Sequence, residues 1–141
     1  MPPDDRHAPV RELAPYEFRT DHDLPGARHA VRAAALRAGF GLIGQTKIVT
    51  AVSELVRNAH VHGGGGTLRI EQVTGARTGL RVTIRDHGPG IADVAAALAD
   101  GYSTGTGLGH GLGGARRLVD EFAIETGPGG GTTVTVLRWA P

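Results

Sequence analysis

Apolar residues recur along this chain at two different periods, and the switch between them marks out its elements. Ala27, Ala30, Val31, Ala34 and Ala38 fall at helical spacing. Asp23 stands where a helix cap belongs, Pro25 is tolerated in a first turn, and Gly39 is placed to end the helix. The spacing predicts a second helix over about 45–62, with Ile48, Val52, Leu55 and Ala59 as its core stripe and Gly63 as its stop. Period two then takes over. Residues 67–73 alternate, with Leu68, Ile70 and Gln72 on one side. Residues 80–86 alternate more cleanly: Leu80, Val82 and Ile84 face in, while Arg81, Thr83 and Arg85 face out. Residues 93–100 read as a short alanine-rich helix. The glycine-rich stretch 101–111 leads into a third long helix with Leu112, Ala115, Leu118 and Val119 apolar. Residues 122–126 and 132–137 read as a terminal hairpin around 127–131, and 16–20 as a short early strand. Residues 1–14 are expected to be a flexible lead, and 15–141 a single domain. The order strand, two helices, two strands, helix, two strands predicts an α/β two-layer sandwich, a mixed sheet with helices packed on one face.

Composition narrows the class. A chain of 141 residues suits one domain and buries ~two-thirds of its unfolded surface without staples. It has no cysteine, which excludes disulfides and thiolate metal sites and fits a reducing compartment. Fifteen basic residues against fourteen acidic ones give a formal charge of +1, which argues against a general nucleic-acid binder. The first ten residues hold no apolar core of a signal peptide, and no stretch approaches the ~18 apolar residues of a membrane span. A soluble cytoplasmic domain is expected. Glycine is abundant, 23 residues, and clusters at 63–66, 101–114 and 127–131. Such blocks mark places where backbone turns tightly or approaches something closely.

Three clusters carry candidate chemistry. Glu54 and Asn58 are four apart and share one flank of the second helix, beside its core stripe. A carboxylate next to a carboxamide there can serve a Mg–phosphate site, Asn as a neutral oxygen ligand and Glu as a base. Taken alone, the pair also fits a solvated helix. Asp86 shares strand parity with Leu80, Val82 and Ile84, so its carboxylate points where the core points and must find a partner. Gly88, Pro89 and Gly90 open a turn directly after it. An Asp in that position can accept a hydrogen bond from the amino group of a planar ligand, or simply cap the turn. The third cluster is 105–112, Gly105-Thr106-Gly107-Leu108-Gly109-His110-Gly111-Leu112. A glycine-rich turn running into a helix offers unpaired N–H groups that suit phosphates. Gly109, Gly111 and Gly114 fit a dinucleotide fingerprint, but no apolar strand precedes them, so that reading is set aside. His60 and His62, two apart, do not share a helix face and make a poor zinc pair.

In order and spacing, Glu54-Leu55-Val56-Arg57-Asn58-Ala59, then Asp86-His87-Gly88-Pro89-Gly90-Ile91, then 105–112 resemble the N, G1 and G2 boxes of the GHKL (Bergerat-fold) ATPases and kinases. Further stretches are similar to the RsbT-type serine/threonine kinases within that group: Gly39-Phe40-Gly41, Gln45-Thr46-Lys47-Ile48, Thr50-Ala51-Val52-Ser53-Glu54-Leu55, Asp100-Gly101-Tyr102-Ser103-Thr104 and Arg116-Arg117-Leu118-Val119-Asp120-Glu121-Phe122. The resemblance spans about 24–139. It implies ATP and Mg2+ as cofactors, Glu54 as the catalytic base, and Asn58 as the metal ligand. It implies that Asp86, Gly88, Gly90 and Ile91 hold the base, and that Thr104, Gly105, Thr106, Gly107, Leu108, Gly109, His110, Gly111 and Leu112 lie against the nucleotide. It further implies phosphorylation of a small STAS-domain protein and, after release, activation of a PP2C-type phosphatase, with neither nucleic acid nor membrane as partner. Two other readings stay open: an anti-sigma factor of the RsbW kind, which would sequester a sigma factor, and a non-catalytic nucleotide-dependent switch.

Overall fold

Helix formation is strongest where the apolar stripe is longest. The computed structural model describes residues 10–12, 15–99 and 111–141, and in it the stripe Ile48, Val49, Ala51, Val52, Leu55, Val56 and Ala59 is buried along helix α2, Leu42–Gly63. The helix ends in a left-handed Gly64 (φ 76°), with Gly64 N–H donating to His60 O and Gly65 N–H to Ala59 O. That pair of bonds satisfies carbonyls the helix end would leave open, and it needs a residue without Cβ strain. The helix begins three residues earlier than its periodicity suggests, because Leu42 and Ile43 face solvent and add nothing to the stripe. The Gln45 amide donates back to Phe40 O at 2.9 Å and fixes this first turn. Helix α1, Leu24–Arg37, packs beside α2 through the small residues Ala27, Val31, Ala34 and Ala35. Asp23 does occupy the N-cap position of α1, but its carboxylate turns backwards. Its Oδ2 accepts from Arg19 N–H (2.8 Å) and Thr20 N–H (3.1 Å), closing the 3-10 turn Asp21–Asp23 instead of α1.

Six strands form one sheet: β1 Val10–Glu12, β2 Tyr16–Phe18, β3 Gly66–Thr74, β4 Thr78–Asp86, β5 Glu121–Gly127 and β6 Gly131–Trp139, in the order β1-β3-β4-β6-β5, with β2 also on β3. The register aligns Leu68, Ile84 and Val134 in one row and Ile70, Val82 and Val136 in the next. All six are buried in the core that α1 and α2 cover. The opposite face carries Thr67, Arg69, Glu71, Arg81, Thr83 and Arg85, so alternation alone sorts the sheet into an inner and an outer side. At one end of that outer face Val73, Leu137 and Trp139 form a small cluster, with the Arg77 guanidinium 4.9 Å from the indole centroid.

The two-layer sandwich with helices on one face is as expected. The mixed sheet resolves into five antiparallel pairings among the described strands. β4 and β5 do run the same way, but the returning β6 lies between them. Three residues of the expected lead form a strand: Val10–Glu12 pairs with β3 opposite Glu71–Val73, and the Arg69 guanidinium bonds the Glu12 carboxylate. The two short helices are α3, Val94–Leu98, capped by Asp93 Oδ1 accepting from Ala96 N–H at 3.0 Å, and α4, Gly111–Arg117. The expected long third helix thus spans seven of the described residues. Gly113 and Gly114 lower its propensity, and Asp120 N–H donating to Leu137 O draws the chain into the sheet. Leu118 and Val119 pack against the core from the turn that follows.

Candidate nucleotide-binding site

A buried carboxylate sits at the end of the central strand. Asp86 closes β4 on its inward face and is 8 % exposed. Burying it is tolerable because Gly88 N–H donates to Oδ1 at 2.9 Å, although an ionised carboxylate has room for several more donors. The C-terminus of α2 comes in directly above. A Cβ added at Gly63 would lie 2.5 Å from Asp86 Cγ, and one at Gly88 would lie 2.6 Å from Gly63 Cα. Helix end, strand end and turn therefore meet at a point that only glycines allow.

The β5–β6 hairpin locks the turn after Asp86. Gly90 has φ 87°, and a Cβ there would run into the Gly127 carbonyl. Ile91 N–H donates to Thr126 Oγ1 at 2.8 Å, and Gly129 N–H to Pro89 O at 3.2 Å. Thr126 Oγ1 in turn lies 3.0 Å from Thr132 Oγ1 and 3.3 Å from Gly131 O. Thr132 is the register partner of Asp86 and is also buried, 7 % exposed. A hydroxyl beside a carboxylate, both at the rim of the core, presents a donor–acceptor edge of the sort a heterocyclic base requires. Sequence reading missed Thr132 and Thr126. Their signal was present but non-local: Thr132 follows the glycine turn 127–131 at the position that pairs with Asp86.

Glu54 and Asn58 are both half-buried on α2. By helical geometry they sit about 40° apart on one flank, with Asn58 five residues before Gly63, or about 7.5 Å along the axis. Along the axis, Asn58 is thus nearer than Glu54 to the end of α2 that meets Asp86. No hydrogen bond or ion pair among the described residues engages either side chain, so carboxamide and carboxylate are free for a ligand. A neutral oxygen and a carboxylate one turn apart suit a magnesium ion and its water shell.

The remaining expected contacts divide. Gly111 starts α4, and the Leu112 side chain is buried in the core, so only backbone can present there to a ligand. Ile91 likewise packs its side chain against the core. Thr104, Gly105, Thr106, Gly107, Leu108, Gly109 and His110 lie outside the described residues. His60 Nε2 pairs with Asp21 Oδ1 at 2.9 Å, and no metal-holding cluster of three His, Cys, Asp or Glu occurs among the described residues.

Known proteins resemble this chain in sequence and in fold. Residues 44–140 match the family model of the histidine kinase-, DNA gyrase B-, and HSP90-like ATPases. The chain is 42% identical over 121 residues to serine/threonine-protein kinase RsbT of Bacillus subtilis (strain 168), covering 85% of this chain and 91% of the relative. It is 31% identical over 99 residues to the anti-sigma F factor of Thermoanaerobacter sp. (strain X514), covering 65% and 68%. Among solved structures, the RsbU and RsbW domains of Rv1364c from Mycobacterium tuberculosis superpose with a TM-score of 0.63 at 24% identity, over 93% of this chain and 32% of that one. The histidine kinase domain of the Erythrobacter litoralis EL346 blue-light activated histidine kinase gives 0.50 at 21%, over 89% and 69%. With a family model matched over more than half its length, the chain belongs to the histidine kinase-, DNA gyrase B-, and HSP90-like ATPases.

Proposed function

We propose that this protein is a cytoplasmic serine/threonine kinase that binds Mg-ATP and phosphorylates a small STAS-domain partner, and that on release it binds and activates a PP2C-type phosphatase in bacterial stress signalling. The observation that carries the reading is the buried Asp86 at the glycine-built end of α2, the helix that also carries Asn58 and Glu54, in a chain 42% identical to a named serine/threonine kinase over most of its length.

Asp86 accepts from the adenine amino group while Thr132 fixes the base edge beside it. Glycines 63, 88 and 90 let the helix end, the turn and the β5–β6 hairpin close around Asp86, and the Thr126–Ile91 bond keeps the turn from moving. Asn58 would hold magnesium, which neutralises charge between the phosphates. Glu54 orients the incoming serine or threonine hydroxyl and takes its proton. The hydroxyl oxygen bonds to the γ-phosphorus, the bond to the bridging β,γ-oxygen breaks, and ADP leaves with that electron pair.

The test is Mg-ATP-dependent phosphate transfer to a STAS-domain protein of the same organism, wild type beside Glu54→Ala. Loss of transfer with retained ADP binding supports the kinase and its base. Unchanged transfer in the variant removes Glu54 from the mechanism. The similarity to anti-sigma F factors favours a second reading, in which the chain sequesters a sigma factor. Both its identity and its coverage are lower, and co-purification with a sigma factor would reverse the preference.

A further inference from the structure

The helical layer holds a charge asymmetry. Between Asp23 and Glu54 the sequence has no acidic residue, yet it carries Arg28, Arg32, Arg37 and Lys47, in a chain whose formal charge is only +1. All four cations are exposed, and none takes part in an ion pair among the described residues. Where α1 turns into α2, three large aliphatic side chains stand in solvent: Leu36 at 65 %, Leu42 at 74 % and Ile43 at 72 % exposure. Helical spacing places Arg32 four residues before Leu36 and Lys47 four after Ile43, so each cation shares a face with an apolar side chain. Arg37 adjoins Leu36. The result is an apolar corner ringed by unpaired positive charge.

We infer that this corner is a docking surface for a protein partner, specifically for an acidic amphipathic segment that presents carboxylates around a small apolar cluster. The inference rests on the kinase reading only in taking its partners as the proteins to test. Charge complementarity selects the occupant. A second copy related by a two-fold axis would set the cations against themselves. An anionic bilayer is a poorer match, because interfacial anchors are rich in Trp and Tyr. The corner has neither, and the one tryptophan of the chain lies on the far face of the sheet. Two of the three cations at the corner, Arg32 and Arg37, are arginines, whose planar fork fits carboxylates in pairs. Ile43 also precedes Asn58 by about 22 Å along α2. A partner seated at the corner leaves the nucleotide site open, so its loss weakens protein binding without touching the chemistry.

Two full-length variants test this: Arg32→Glu/Arg37→Glu/Lys47→Glu, and Leu42→Ser/Ile43→Ser. Each is assayed for KM and kcat in phosphate transfer to the STAS-domain protein, and by calorimetry for Kd with that protein and with the PP2C-type phosphatase. In both variants, for at least one partner, KM or Kd rises about tenfold or more, while KM for ATP, kcat and the thermal melt stay at wild-type values. Wild-type affinity also falls with added salt. If wild type transfers phosphate and both variants keep its protein KM and both Kd values, the docking inference is wrong and the kinase reading stands. If wild type transfers none, the kinase reading fails, and the calorimetric Kd values alone decide the docking question. Absent or unchanged binding then overturns it. Binding to phosphatidylglycerol vesicles, or a dimer in sedimentation, that charge reversal abolishes would overturn it in favour of a lipid surface or a second copy.

Discussion

Replacing Gly63 with alanine puts a methyl group 2.5 Å from Asp86 Cγ, 2.6 Å from its Cβ and 2.7 Å from Oδ1. Carbon atoms do not approach so closely, so either the end of α2 lifts or Asp86 swings away from Gly88 N–H. Forcing a methyl group into a packed site costs about 1–3 kcal/mol. Alanine is also the better helix former by about 0.8–1 kcal/mol in a helix interior, and less at this last helical position. The net loss of stability is therefore modest, about 0–2 kcal/mol from those two terms. Nucleotide affinity is expected to suffer more, because the carboxylate that moves is the one proposed to meet the base. A loss of about 1.4 kcal/mol or more in binding is at least tenfold in Kd. Gly64→Ala is the control. Its φ of 76° is a strained place for alanine, but nothing lies within 4 Å of an added Cβ, so it costs about 1–2 kcal/mol of stability and leaves ADP affinity alone. Urea denaturation and ADP calorimetry on both variants separate the two effects. If Gly63→Ala binds ADP as wild type does, or if Gly64→Ala weakens binding as much, the close approach of α2 to Asp86 does not shape the site.

Asp86→Asn leaves one acceptor oxygen for both Gly88 N–H and the amino group of the proposed base, and ADP affinity measured by calorimetry is expected to fall by about 1–3 kcal/mol; equal affinity would sink the assignment. Thr126→Val removes the acceptor of Ile91 N–H and the contact to Thr132; stability in urea drops by about 1–3 kcal/mol, and a smaller change means that water replaces the hydroxyl. The Asp23 carboxyl is held below its ordinary value of 3.8, first by Arg19 N–H and then by Thr20 N–H. Its stabilising contribution is complete above 3.8 and is lost as pH falls through the lower folded-state value. Asp23→Asn should therefore flatten the acid limb of a stability–pH curve below 3.8 and leave its course above that unchanged.

The parts of the fold that were legible from the sequence are those where periodicity and burial coincide. The α2 stripe from Ile48 to Ala59 and the alternation of 80–86 each name a single face, and that parity alone turned Asp86 inward. What stayed hidden depends on tertiary pairing. Thr132 becomes a site residue only because register sets it opposite Asp86. Gly63 reads as a helix stop until the strand end arrives beneath it. Val10–Glu12 is too short to alternate and becomes a strand only by lying along β3. Leu42 and Ile43 carry no core signal because they are not in the core. Two glycines and a pull into the sheet shortened α4, and neither registers in a stripe of apolar positions.

The cluster of Val73, Leu137 and Trp139 under Arg77 has a practical consequence. Trp139 is the sole tryptophan, and it ends β6, whereas Thr132 lies near the start of the same strand. They are seven steps apart along the strand, about 23 Å, and the indole is on the opposite face of the sheet from Asp86. Its emission should follow the melting of the sheet and stay indifferent to nucleotide at the other end. Folding and ligand occupancy can thus be followed in one sample, the first by intrinsic fluorescence and the second by heat, without either signal leaking into the other.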